Sequence, residues 1–105
     1  MADARSEVVA VAKAMLAGEL SYAEGAYQIC RLRHRVGGIG DRDEDFDVFV
    51  AIESETDHLP LQARKHLWSE KALRELEPEA ERTQKWAASF AERACQRLIT
   101  RLSQS

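Results

Sequence analysis

The chain has 105 residues, 45% of them apolar and 31% charged, with a formal net charge of −3. That mix fits one soluble domain around a single core, and no apolar run approaches the roughly 18 residues of a membrane span. The start, MADARSEVV, has no basic segment leading into an apolar run, so no secretory signal is expected. The charge is unevenly spread. Residues 41–57, DRDEDFDVFVAIESETD, hold eight of the eighteen acids and one base, Arg42, for a net charge near −7. Residues 1–40 come to about +1 and residues 58–105 to about +3.

A first helix is predicted over 6–17, capped by Ser6, with Val8, Val9, Val11, Ala12, Met15 and Leu16 at spacings of three and four. Gly18 ends it. Ser21 to Glu24 form a capping box that opens a second helix over 21–36, with Tyr22, Ala26, Ile29, Leu32 and Val36 on one stripe. Its other side carries Tyr27, Arg31 and His34 as an outward ridge, while Arg33 lies beside the apolar stripe. The basic run RLRHR reads first as a solvated face with favourable charge at a helix C-terminus, with a contact surface for a partner as the alternative.

A third helix is expected over 43–55, with acids from Asp41 to Glu44 crowding its start. Phe46, Phe49, Val50 and Ile52 would face inward, and Asp43, Glu44, Asp47 and Glu55 outward. A strand competes here, because Phe46, Val48, Val50 and Ile52 alternate. In the helix, Glu53 falls inside the apolar arc, and Arg33, displaced toward its own core, is its expected partner. The segment SETDHLPL reads as a loop, and residues 61–76 as one or two short helical pieces broken near Ser69. Pro78 at a first helical position opens the last helix, 78–102, whose stripe runs Ala80, Thr83, Ala87, Phe90, Ala91, Ala94, Leu98, Leu102. The expected fold is therefore all-α: a single small bundle, residues 1–105, of four main helices with an additional short helical segment.

Most familiar chemistries fail on spacing. Asp41, Asp43 and Asp45 match three positions of a calcium loop, but Phe46 stands where glycine is required and Ile52 where glutamate is. His34, His58 and His66 are scattered, and Cys30 and Cys95 form no metal or redox pair, so no metal site or cofactor is expected and the thiols read as free. GGIG lacks the lysine and the preceding strand of a phosphate loop. RLRHR is too short, and too close to the acids, for direct nucleic-acid binding.

The opening unit VAKAMLAGELSYAEGAYQICRLRH resembles the start of the colicin D immunity protein-like family, the bacterial self-protective colicin-like immunity proteins. The resemblance covers residues 8–36. It implies a small helical bundle whose acidic surface plugs the basic active site of an RNA-cleaving toxin. Carboxylates on a rigid helix also suit a basic groove, and the expected function is a cytoplasmic inhibitor that binds a basic protein. Asp41, Asp43, Glu44, Asp47 and Glu55 are its contact acids, chosen by charge and expected exposure, with Tyr27, Arg31 and His34 as a second surface. A structural or regulatory homodimer, and a small enzyme using Glu53, Asp57 and His58, are the alternatives.

Overall fold

The computed structural model describes residues 3–37, 43–56, 58–59 and 68–103. They form four helices, α1 (Ala4–Leu16), α2 (Tyr22–Val36), α3 (Glu44–Thr56) and α4 (Glu70–Ser103). No strand occurs among the described residues, so Phe46 to Ile52 are helical. The described residues form an all-α four-helix bundle. α1 packs on α2 and α4, and α3 on α2 and α4, with α2 and α4 meeting less extensively.

Local signals explain the boundaries. Asp3, not Ser6, caps α1, its carboxylate accepting from the Ser6 amide at 2.8 Å. Gly18, at φ 79°, turns the chain out of α1, while its amide donates to Met15 O and the Glu19 amide to Ala14 O. That is the glycine-dependent Schellman stop. Ser21 caps α2 by accepting from the Glu24 amide at 3.1 Å, as the capping box requires. Asp43 opens α3: its Oδ1 accepts from the Asp45 amide at 3.0 Å and the Phe46 amide at 3.4 Å. Helix α3 continues past Ile52 to Thr56, whose buried hydroxyl donates back to Ile52 O at 2.7 Å.

The last helix departs most from the sequence expectation. It begins at Ser69, whose hydroxyl accepts from the Ala72 amide at 3.1 Å, and runs 34 residues, about 51 Å, with Pro78 inside it. Ser69 therefore starts a helix instead of breaking one. Proline removes one backbone donor and crowds the preceding turn. Here Arg74, Glu77 and Pro78 are all exposed, so water can serve the orphaned carbonyl. Residues 61–67, where a separate short helical piece was expected, lie outside the described residues.

The core is built from one stripe per helix: Val8, Ala12 and Met15; Ala26 and Ile29; Phe46, Phe49 and Ile52; Ala87, Ala91, Ala94, Cys95, Leu98 and Leu102. Three alanines in α4 let its backbone approach the others closely. Phe46, Phe49 and Ile52 are fully enclosed, and each contributes about 1.5–3 kcal/mol by burial. Gly25 has a packing role of a different kind. A Cβ there would overlap Sδ, Cγ and Cε of buried Met15, so any larger residue requires that side chain to shift. Ala80 and Val50, assigned to inward faces from periodicity, are exposed.

Candidate functional site

Helical rotation divides the acidic block into acids used by the fold and acids left to solvent. Asp43 and Asp45 start α3 alongside the C-terminal turns of α4. Arg101 donates Nη2 to Asp43 Oδ2 at 2.6 Å and Nη1 to Asp43 Oδ1 at 2.9 Å and Asp45 Oδ2 at 3.1 Å. Arg97 Nε lies 3.3 Å from Asp45 Oδ1. The Asp43 and Asp45 side chains keep only 12% and 10% of their exposure. Asp43 is thus not the outward contact acid expected from the sequence. The Arg101 fork holds its carboxyl below the ordinary range, helped by the Phe46 and Asp45 amides. The same fork raises the Arg101 pKa.

Glu53 is also engaged, but with a different arginine from the one expected. Its Oε1 meets Arg31 Nη1 at 3.7 Å, not Arg33. Arg33 continues the line of Ala26 and Ile29 and is partly buried, whereas Arg31 sits on the outer ridge and reaches across to α3. The Arg31 guanidinium also stacks over the Tyr27 ring at 4.2 Å. Two of the three ridge residues therefore touch, while His34 is exposed further along α2. Tyr27, Arg31, Gln28 and Leu32 form one wall of a shallow apolar groove of about 390 Å³, faced by Glu7, Ala10 and Val11 of α1. Cys30, beside Glu53, is pushed up to about 12, by burial first and by the Glu53 charge second. Burial also pushes Cys95 up to about 12. Neither is a ready thiolate at neutral pH.

What remains of the block is a line along the outside of α3. Glu44, Asp47, Ala51 and Glu55 recur at intervals of three, four and four, on the face opposite Phe49, Ile52 and Thr56. Glu44 is 88% exposed and only 3.8 Å from Arg97 at its nearest. Asp47 and Glu55 have no ion pair among the described residues. Asp41 and Asp57 lie outside the described residues.

At the far end of α3 is a cleft of about 340 Å³ between that helix and α4, lined by Glu55, His58, Glu79, Arg82, Thr83 and Trp86. His58 Nε2 is 2.5 Å from Glu79 Oε1. The histidine expected to work with Glu53 and Asp57 is therefore coupled to an acid on α4. The Thr83 hydroxyl donates to Glu79 O at 2.9 Å, so the one hydroxyl lining the cleft is directed to the backbone. Trp86 is exposed, with its ring edge-on to Phe90 at 4.9 Å and 78°. Sequence reading missed Glu79 and Trp86 as site residues because they lie more than twenty residues from Glu55, and only the antiparallel packing of α3 and α4 joins them. Arg97 and Arg101 were missed as well, although Arg93, Arg97 and Arg101 at intervals of four mark a basic ridge that could have signalled a neighbour for acids.

Among the described residues no group of His, Cys, Asp and Glu is arranged to hold a metal ion. No described helix is long and apolar enough to cross a membrane. No curated protein and no solved structure matches the chain. One family does match, over residues 1–98, and the chain belongs to it: the family described as protein of unknown function (DUF2489).

Proposed function

We propose that this chain is a protein-binding inhibitor that recognises a basic protein through the outer face of α3 and works in the cytoplasm. The observation that carries the reading is the division of the acidic block. The fold holds Asp43 and Asp45 in close contact with Arg97 and Arg101, whereas Asp47 and Glu55 have no ion pair among the described residues and Glu44, 88% exposed, only a 3.8 Å approach to Arg97; these three share the outer line of α3. Acids fixed on a rigid helix steer a basic partner into register and raise its association rate. A nuclease that grips phosphates presents a surface of that kind. The resemblance of residues 8–36 to the colicin D immunity-like proteins points to the same class of partner. The two buried, free thiols are compatible with a reducing compartment.

The test is association kinetics across a salt series with a basic domain encoded by an adjacent reading frame. Replacing Glu44, Asp47 and Glu55 together by Gln, Asn and Gln should slow association by about tenfold or more at low salt and flatten its salt dependence. Helicity should be unchanged, because these side chains pack against nothing in the core. An unchanged rate with native helicity would remove the outer face of α3 from consideration. The Tyr27–Arg31 groove would then be the next surface to vary, since aromatic and arginine anchors concentrate binding energy at interfaces.

A further inference from the structure

We propose that the cleft between the end of α3 and the middle of α4 is an anchor pocket for one cationic side chain, a guanidinium or alkylammonium, of the basic partner. The proposal rests on the reading that the partner is basic, and it specifies where a single residue of that partner is held.

Two carboxylates reach the cleft from different helices. Glu79 is already oriented by His58, at 2.5 Å, while Glu55 has no ion pair among the described residues. Trp86, 43% exposed, lines the same cleft. Its ring meets Phe90 edge-on, at 4.9 Å and 78°. An exposed indole next to carboxylates attracts a cation through both the ring quadrupole and charge. Thr83 turns its hydroxyl back to Glu79 O and so does not compete for the ligand. Among the described lining residues the carboxylates Glu55 and Glu79 stand against the guanidinium of Arg82 and the imidazole of His58. An anionic ligand drawn to Arg82 would have to face both glutamates. The volume, about 340 Å³, suits a side chain and not a folded segment. Glu55 is also the last acid of the α3 line, so a partner steered along that line arrives at the cleft.

The experiment follows the two indole N–H signals of nitrogen-15-labelled protein, assigned with Trp86→Phe, while Nα-acetyl-arginine methylamide is added at fixed ionic strength. Nα-acetyl-glutamine methylamide and Nα-acetyl-glutamate methylamide serve as neutral and acidic controls. The Trp86 signal should move saturably with the arginine probe alone, and the Trp68 signal should stay in place. Glu55→Gln and Glu79→Gln should each weaken binding by about two- to fivefold, as expected for exposed charge and cation–π contacts. Thermal melts confirm that each variant is folded. The proposal is overturned by equal shifts with the neutral probe, by tighter binding of the acidic probe, by no saturable shift, or by indifference to Glu55→Gln. Glu44→Gln with Asp47→Asn separates this pocket from the wider surface. That pair should leave arginine binding unchanged while slowing association with the whole basic protein. Failure of either measurement alone therefore identifies which of the two readings is wrong.

Discussion

Truncating Arg101 to alanine should destabilise the bundle by about 2–3 kcal/mol. The value follows from where its partners lie. Arg101 makes three charge-assisted hydrogen bonds, at 2.6, 2.9 and 3.1 Å, to two carboxylates that are each about nine-tenths enclosed. Breaking a fully buried pair costs about 3–5 kcal/mol, because a charge is left without compensation. An exposed pair contributes about 0–1 kcal/mol. Arg101 itself is 40% exposed, so water can replace part of what is lost, and Arg97 Nε remains 3.3 Å from Asp45. Both facts place the cost below the buried limit. For a domain of this size, 2–3 kcal/mol corresponds to a fall in Tm of roughly 8–24 °C. The assay is a urea melt of Arg101→Ala, Asp45→Asn and the double variant. The coupling should be about 1–2 kcal/mol, reduced because Asp43 shares the guanidinium. Arg101→Lys, which keeps the charge but loses the fork, should recover only part of the stability. A coupling near zero, or a Tm shift of Arg101→Ala under about 2 °C, would refute the argument that this clamp holds α3 against α4.

The same clamp predicts an acid limb. The Asp43 carboxyl is held below its ordinary 3.8, so its contribution is complete above that unfolded value and is lost as pH falls through the folded one. Melts from pH 6 down to pH 2 should show wild type losing stability faster than Asp43→Asn, which keeps the helix cap but carries no charge. Gly25→Ala should cost about 1–3 kcal/mol in the same denaturant assay, since the added methyl meets Met15 Sδ and Cγ inside the core. A cost under 0.5 kcal/mol would mean that Met15 moves aside. Arg31→Ala should cost no more than about 1 kcal/mol, as its pair with Glu53 spans 3.7 Å at an arginine that is largely exposed. Cys30 and Cys95, both raised to about 12, should resist alkylation at pH 8 in the native protein and react on unfolding; rapid native labelling of either would contradict their burial.

Much of the fold was legible in the chain because its determinants are local. The apolar repeats of α1, α2 and α3, the cap at Ser21 and the stop at Gly18 depend on residues within a few positions of one another, and a reader of the sequence sees all of them together. Phe46 to Ile52 were ambiguous on periodicity alone, since Phe46, Phe49 and Ile52 recur every three residues while Phe46, Val48, Val50 and Ile52 alternate; the helical neighbours and the lack of a strand partner favoured the helix. The start of α4 was not legible. Pro78 is a strong local helix-start signal, and only solvent exposure around Arg74 to Pro78 makes an internal proline tolerable. The site was less legible still. Sequence shows that acids crowd residues 41–57, but not which of them the fold consumes. That depends on Arg97 and Arg101, more than fifty residues away, whose guanidiniums meet Asp43 and Asp45 because α3 and α4 run antiparallel. The choice of Arg31 over Arg33 for Glu53 is likewise a matter of how α2 is rotated against α3. Short-range steric and capping rules are written in neighbouring residues, whereas charge pairing across a bundle follows from helix rotation and register, and these are fixed only when the cores of all four helices interlock.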